Sequence, residues 1–320
     1  MKAFVYDRYG GIDRLRLEDV PAPVPGKGEV LIEVHAVSLN LSDWEGLTGK
    51  PAYARLSGGL FRPRRRTLGS DIAGRVAAVG EGVTEFVVGD EVYGDNLMRQ
   101  GGFAEFAIAP ASVMALKPAG LSWVEASTIP QAGAIAEQAV ARGNAGERML
   151  INGAGGGSGA FAIQLAKASG MHVTAVDNAD KLAFMRELGA DEVIDYRATD
   201  FTRTGAYDLI VDFVAHRSVF AYRRALAPGG RYFMIGGTMR TILRLLTLGS
   251  VVGALSGRRM QLLVVHEGPA FFGPLAERVL AGEVRVCVDR VVGLDDVPFA
   301  LALHAEGRAL GKVVVEVRRE

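Results

Sequence analysis

The segment from Met149 to Asp177, MLINGAGGGSGAFAIQLAKASGMHVTAVD, constrains the fold more than any other part of the chain. A short apolar strand ends near Asn152, a glycine-rich turn follows, and a helix begins near Ser158. A second strand then ends at Asp177. This strand–turn–helix–strand order is typical of a doubly wound α/β unit, in which a parallel sheet is covered by helices on both faces.

The glycines of the turn predict a dinucleotide site. Gly156 lets the backbone approach a pyrophosphate, and Gly159 lets the helix pack tightly on the strand. Free N–H groups at the start of the helix bind the anion, and the helix dipole assists them. The residues expected to hold the cofactor at this turn are Ala154, Gly155, Gly156, Gly157, Ser158 and Gly159.

Asp177 bears on the choice of cofactor, because it follows Gly156 by 21 residues. A carboxylate at about this spacing holds an adenosine ribose hydroxyl and repels a 2′-phosphate, which favours NADH. Lys181 could offset that repulsion, or it could be a solvated helix residue. The sequence therefore predicts NADH or NADPH and leaves the choice open.

The pattern of predicted strands and helices changes along the chain. Up to about residue 119 it has short strands and turns, such as Glu29–Leu39, Asp71–Val79 and Phe103–Ile108. From about Trp123, helices alternate with strands, which indicates a parallel sheet. Short strands then return in Val284–Val292 and Lys312–Val317, on either side of a helix over Val297–Ala305. We expect an α/β protein with domains at 1–119, 120–284 and 285–320, the third segment rejoining the first.

Composition excludes several classes of protein. Lys and Arg total 36, as do Asp and Glu, so no net charge favours nucleic acid. The first residues have no secretory core, and the 13 apolar or small residues Leu245–Gly257 are too few for a membrane span of roughly 17–25 residues. A buried helix or a flap is the preferred interpretation. We expect a cytoplasmic protein that binds a small-molecule substrate and neither nucleic acid nor membrane.

Several motifs, in order along nearly the whole chain, resemble the medium-chain dehydrogenase/reductase superfamily, in its zinc-independent quinone oxidoreductase-like branch. They comprise the following segments: Ser38–Trp44 (SLNLSDW), Leu68–Gly74 (LGSDIAG), Gly89–Gly94 (GDEVYG), Gly101–Glu105 (GGFAE), the glycine turn, Leu188–Asp191 (LGAD) and Gly311–Val314 (GKVV). The resemblance implies a GroES-like β-rich catalytic domain with an inserted Rossmann-fold coenzyme domain and a cleft between them. It also implies a homodimer or homotetramer.

The same resemblance argues against a metal. In the zinc branch of the superfamily, a cysteine and a histidine ligate the catalytic metal at positions that Asn40 and Ser70 occupy here. Zinc needs three or four clustered ligands, whereas the five histidines are scattered and Cys287 is the only cysteine. We expect no metal.

Hydride transfer without a metal narrows the substrate. Reduction of a plain ketone builds charge on one oxygen, which a Lewis acid or a strong donor must stabilise. A quinone or an α,β-unsaturated carbonyl already spreads that charge. We therefore predict NAD(P)H-dependent reduction of such an acceptor. Two alternatives stay open: a metal-free alcohol/ketone oxidoreductase or ene reductase dedicated to a secondary-metabolite intermediate, and a dinucleotide-binding protein without catalysis.

Three residues are candidates for catalysis: Asn40, Ser42 and Tyr53. By its match to the family motif, Asn40 should lie near the nicotinamide, or else be a turn residue that satisfies local backbone. Tyr53 is the preferred proton donor or carbonyl anchor, with ordinary packing as the alternative. Further cofactor contacts are predicted for Tyr196 at the adenosine end, for Gly236 and Gly237 at the nicotinamide, and for Lys312.

Overall fold

This computed structural model describes residues 1–318, apart from the side chain of Ser57. The chain forms two compact units. The first contains Met1–Ala134, Glu267–Gly282 and the chain from Val286 onward, and the second contains Ile135–His266 with Glu283–Arg285. The expected domains 1–119, 120–284 and 285–320 stay predictions.

The first unit is rich in β structure. Its strands are β1 (Lys2–Val5), β2 (Arg16–Asp19), β3 (Glu29–Ser38), β4 (Asp71–Val79), β5 (Glu91–Asp95), β6 (Phe106–Pro110), β7 (Met114–Leu116), β14 (Val288–Gly293) and β15 (Lys312–Glu316). Its helices are α1 (Leu41–Thr48), α2 (Ala52–Gly58), α3 (Trp123–Thr128), α10 (Pro269–Leu280) and α11 (Val297–Ala305). Helix α4 (Pro130–Val140) begins in this unit.

One sheet organises the first unit. Its strand order is β14-β15-β3-β4-β5-β7, with β6 also paired to β3. The long strand β3 pairs antiparallel with β4, and Ser38 lies opposite Asp71 in the register. Strand β15 pairs with the same end of β3, where Val314 lies opposite Ser38. The pairing of these three strands therefore brings residues 38–40, 70–71 and 312 together.

The second unit alternates strands and helices. Its strands are β8 (Arg148–Asn152), β9 (His172–Asp177), β10 (Glu192–Asp195), β11 (Tyr207–Asp212), β12 (Leu226–Met234) and β13 (Arg259–Leu262). Its helices are α5 (Gly157–Ala168), α6 (Leu182–Glu187), α7 (Val219–Ala225), α8 (Met239–Arg244) and α9 (Ser250–Ser256), with a π-helical turn at Leu245–Gly249. The six strands are parallel, in the order β10-β9-β8-β11-β12-β13.

This strand order is that of a doubly wound dinucleotide-binding sheet: numbered from β8, it reads 3-2-1-4-5-6. The predicted fold class, a GroES-like β-rich domain with an inserted Rossmann domain, is confirmed. Several bounds differ from those predicted. The strand expected from Phe103 begins at Phe106, and the strand expected from Val284 begins at Val288.

Of the two interpretations of Leu245–Gly257, the buried helix is wrong, and the flap near a substrate pocket or subunit contact stays a prediction. The π-helical turn joins α8 and α9 into a continuous helix, Met239–Ser256, of which 17% is buried. Only Leu245, Gly249 and Gly253 of this helix are buried, at four-residue spacing on one face. The helix packs through this narrow stripe of mostly small residues, and its larger apolar side chains face outward. At 18 residues with mean hydropathy 1.3, it has the length and composition of a membrane span.

Candidate active site

The glycine turn lies between β8 and α5, as predicted. Gly156 is the N-cap of α5, which begins at Gly157, one residue before the expected start. A Cβ on Gly159 would lie 2.5 Å from the carbonyl oxygens of Gly153 and Ala154. Because those atoms are backbone, no side chain can be accommodated there. Gly159 therefore lets α5 begin in close contact with the turn that follows β8, and its packing on the strand itself stays a prediction.

Gly156 is glycine for a different reason. Its φ of −90° is allowed for any L residue. A Cβ built on it would meet only the oxygen of Gly153, at 3.6 Å, which is an ordinary contact. Neither the conformation nor the packing of the described chain requires glycine at this position. The open space at Gly156 fits the close approach of a pyrophosphate, and that contact stays a prediction.

Strands β8 and β11 lie side by side where the strand order reverses, the point at which doubly wound sheets bind their ligands. Their carboxyl ends are joined by a hydrogen bond of 2.7 Å from Asn152 Nδ2 to Asp212 Oδ1. The buried Asp212 also accepts hydrogen bonds from the backbone of Val214 and Ala215 and from the hydroxyl of Tyr232. One carboxylate thus fixes the loop that follows β11.

Asp177 ends β9 beside the glycine turn. Its Oδ2 accepts a hydrogen bond of 3.0 Å from the N–H of Gly155 and lies 3.8 Å from Lys181 Nζ. Lys181 is buried, so the interpretation of it as a solvated helix residue is wrong. The pair places a negative and a positive charge side by side at this end of β9. The role of Asp177 toward a ribose stays a prediction.

The other predicted cofactor residues lie along the same unit. Tyr196 is 39% exposed, and its N–H donates to the carbonyl of Asp177 at 3.1 Å. Gly236 and Gly237 follow β12 with φ of 72° and 108°, values that favour glycine. Their contacts with a nicotinamide stay predictions.

In the first unit, Asn40 and Lys312 belong to a buried polar cluster. Lys312 Nζ donates to Asn40 Oδ1 at 2.6 Å and to the carbonyl of Leu39 at 2.8 Å, and it lies 3.7 Å from Asp71 Oδ2. Asn40 Nδ2 donates to Ser70 Oγ at 3.2 Å. The Asn40 side chain therefore binds residues distant in sequence. Asn40 is also the N-cap of α1 and forms a capping box with Asp43, so its interpretation as a residue that satisfies local backbone stands, and its place near the nicotinamide stays a prediction. The predicted contact of Lys312 with cofactor or substrate is untested, but its ammonium group already has three partners.

The surroundings of this cluster are acidic. Burial raises the pKa of Asp43 to about 7, although the N–H groups of Asn40 and Gly69 donate to its carboxylate. Burial also raises the pKa of Asp71 and of Asp95, which Gln131 bridges through hydrogen bonds to both. The Lys312 ammonium thus interacts electrostatically with three buried carboxyl groups, those of Asp43, Asp71 and Asp95. Burial lowers the pKa of Lys312 itself, and these carboxyl groups oppose that shift.

Zinc does not fit these residues. The two positions that match the metal ligands of the zinc branch, Asn40 and Ser70, are hydrogen-bonded to each other, and the Lys312 ammonium lies against Asn40. At 4 Å, a divalent ion and an ammonium repel by about 8 kcal/mol at an effective dielectric constant of 20. Among the residues that the structure describes, no group of three His, Cys, Asp or Glu side chains could hold a metal ion.

Ser42 and Tyr53 both line a cavity of about 180 Å³ in the first unit. Tyr53 Oη donates a hydrogen bond of 2.8 Å to Glu45 Oε1, and Ser42 Oγ donates to Gln131 Oε1 at 3.3 Å. Asn40 does not line this cavity. The structure therefore divides the three predicted catalytic residues between the cavity and the buried cluster.

Sequence reasoning missed four polar residues of these two places: Glu45, Asp71, Asp95 and Gln131. Asp71 lies in the LGSDIAG motif, directly after Ser70, and that position was the available signal. Glu45 and Gln131 lie outside any motif and become neighbours of Tyr53 and Ser42 only through the fold.

Comparison with known families gives two matches. The alcohol dehydrogenase GroES-like domain family matches residues 26–119, and the zinc-binding dehydrogenase family matches residues 188–315. The first match lies before the glycine turn and the second lies after it. Together they cover most of the chain.

Three similar proteins cover nearly all of the chain. The mitochondrial NAD(P)H oxidoreductase RTN4IP1 of Mus musculus is 32% identical, over 99% of this chain and 89% of its own. The trans-enoyl reductase pgmF of Aspergillus terreus is 31% identical, over 92% and 90%. The structure of the quinone oxidoreductase from Coxiella burnetii superposes with a TM-score of 0.89 at 29% identity, over 99% of both chains. The chain belongs to the medium-chain dehydrogenase/reductase superfamily, in its quinone oxidoreductase-like branch.

Proposed function

We propose that this protein is an NAD(P)H-dependent oxidoreductase that reduces a quinone or an α,β-unsaturated carbonyl without a catalytic metal. The observation that carries the proposal is the cluster of Asn40, Ser70 and Lys312, in which an ammonium group lies against one of the two residues that match the metal ligands of the zinc branch. Without a Lewis acid, an acceptor that delocalises the incoming charge is the one most readily reduced. The similar proteins include one named a trans-enoyl reductase and one named a quinone oxidoreductase.

The cofactor is held by the second unit. The amides at the start of α5 bind the pyrophosphate, and Gly156 gives it room. The nicotinamide supplies the hydride when it is bound. Asp177 binds the adenosine ribose and, by repelling a 2′-phosphate, favours NADH, while Lys181 weakens that preference.

Residues of the first unit bind and orient the acceptor. Lys312 and Ser70 fix the amide of Asn40 from both sides, so its orientation is set before a ligand binds. Three residues lining the cavity, Ser42, Glu45 and Tyr53, provide hydrogen-bonding groups for a carbonyl. Their task is to bind and orient the acceptor and to supply a proton.

A cofactor-oxidation assay tests this proposal. Quinones, enones and aliphatic ketones are each offered with NADH and with NADPH, and the metal content of the purified protein is measured. Turnover of conjugated acceptors by metal-free protein supports the proposal. Reversible oxidation of alcohols favours the ketone alternative, cofactor binding without turnover favours the non-catalytic alternative, and stoichiometric zinc contradicts the metal-free part.

A further inference from the structure

The Tyr53 hydroxyl is hydrogen-bonded to the carboxylate of Glu45. It donates its hydrogen to Glu45 Oε1 at 2.8 Å, so an ionised Glu45 holds the proton that an acceptor would need. Burial raises the pKa of Tyr53, which makes this tyrosine alone a weak acid at neutral pH. A tyrosine bonded in this way needs a second group to replenish its proton.

We propose that Glu45 and Tyr53 form a proton relay, in which a protonated Glu45 supplies, through the Tyr53 hydroxyl, the proton that complements hydride transfer. The relay rests on the proposed function. Both side chains are half-buried and line the same cavity of about 180 Å³, together with Ser42 and Gln100. Tyr53 is the group that touches the acceptor, and Glu45 acts through it.

The charges around Glu45 permit it to carry a proton. Glu45 is the only carboxylate among the described residues that line the cavity. The ionisable groups facing it are Tyr53 from α2, Tyr6 from the chain after β1, and Arg65 from the loop before β4, while Ser42 on its own helix is neutral. Burial raises the pKa of Glu45 to about 6, and the hydrogen bond from Tyr53 opposes that shift.

Each bond that the relay breaks is matched by a bond that forms. Hydride adds to the β-carbon of the enone, and the electron pair of the C=C bond moves to the α-carbon and carbonyl oxygen as an enolate. The Tyr53 O–H bond breaks as its proton passes to the α-carbon, and the Glu45 proton passes to Tyr53 Oη. Glu45 is left as a carboxylate and regains a proton from water. With a quinone, the proton goes to oxygen instead.

This relay predicts a particular dependence on pH. Glu45 is protonated below about pH 6, so the supply of protons is complete there and is lost as the pH rises. We expect kcat for an enone to fall about tenfold per pH unit above about pH 6. In Glu45→Gln, kcat should be on the order of 100-fold lower at pH 6 and nearly independent of pH. Glu81→Gln, at an exposed carboxylate, should keep the wild-type profile.

A second measurement requires neither cofactor nor turnover. Infrared difference spectra between the wild type and Glu45→Gln report the protonated carboxyl of Glu45, and its midpoint should lie near pH 6. Because the Tyr53 hydrogen bond lowers the pKa of Glu45, Tyr53→Phe should move that midpoint upward. A carboxyl that is already ionised at pH 5 overturns the relay even if Glu45→Gln proves too unstable for kinetics.

The kinetic result separates the relay from the function. Turnover with the same pH dependence in the wild type and Glu45→Gln contradicts the relay and leaves the proposed function standing. No turnover of any acceptor by the wild type contradicts the proposed function, and the relay with it.

Discussion

Lys312 carries a charge into the interior of the first unit and is 3% exposed there. Removing an ammonium group from water costs several kcal/mol, and a buried ion pair regains this only with good geometry and further hydrogen bonds. Lys312 has both, through Asp71, Asn40 and Leu39. Such a residue adds little net stability. It orients Asn40, and it disfavours a metal ion at this place.

Asp177 is the residue on which we expect cofactor choice to depend. We expect Asp177→Asn to raise the ratio of kcat/KM for NADPH to that for NADH by on the order of tenfold, because the negative charge beside the 2′ position is removed while Lys181 keeps its positive charge. Steady-state kinetics with both cofactors measure this ratio. Asp180→Asn, at an exposed neighbour, is the control and should leave the ratio unchanged. An unchanged ratio in Asp177→Asn would show that this carboxylate does not face the ribose.

The turn between β8 and α5 combines two separate requirements in neighbouring glycines. A Cβ on Gly159 would collide with backbone atoms, so its constraint comes from inside the protein. Gly156 has space and an ordinary φ, so nothing inside the protein requires glycine there, and we expect the constraint to come from the ligand. We therefore expect this one glycine pattern to serve both folding and binding.

Alanine substitution should separate the two requirements. We expect Gly156→Ala to keep the wild-type free energy of unfolding and to bind NADH and NADPH at least tenfold more weakly, because its Cβ occupies the space of the pyrophosphate. Gly159→Ala should lower the free energy of unfolding by about 1–3 kcal/mol, because α5 must move away from the turn backbone at Gly153 and Ala154. Chemical denaturation and calorimetric titration measure the two quantities. Undiminished cofactor binding by Gly156→Ala would contradict the placement of the pyrophosphate.

The elements differ in how well the sequence predicted them. Strand β4 and helix α11 have the bounds that the pattern indicated, Asp71–Val79 and Val297–Ala305. The helix Met239–Ser256 was misjudged in both length and burial. Its composition suggested burial, since apolar residues favour the interior. Which face of a helix is covered depends on its neighbours, and composition holds no information about them.

At the scale of the whole molecule, the second unit carries surface suited to self-association. The outward face of the helix Met239–Ser256 exposes these large side chains: Leu243, Leu246, Leu248, Val251 and Leu255. Strand β13 follows it and forms one edge of the six-stranded sheet. An apolar patch beside an open sheet edge is typical of a protein interface.

We therefore expect a homodimer that uses this face. Leu246→Glu and Val251→Glu should each shift the protein toward monomer, because a carboxylate would be buried without a partner in the interface. Sedimentation velocity measures the association state. Val24→Glu, at a residue of the first unit that is 84% exposed, is the matched control and should behave as the wild type. A monomeric wild type at micromolar concentration would contradict the prediction.

The sequence by itself determined the α/β class, the glycine turn and the absence of the usual zinc-ligand residue types at positions 40 and 70. The class and the turn follow from local spacing and residue identity, which a single chain displays directly, and the assignment of positions 40 and 70 follows from the resemblance to the superfamily. Only the tertiary structure decided that Lys312 lies against Asn40, that Glu45 receives the hydrogen bond of Tyr53, and that the helix Met239–Ser256 faces outward. Lys312 and Asn40 are 272 positions apart and meet because β15 pairs with β3, and strand pairing at that separation is set by the packing of the whole unit.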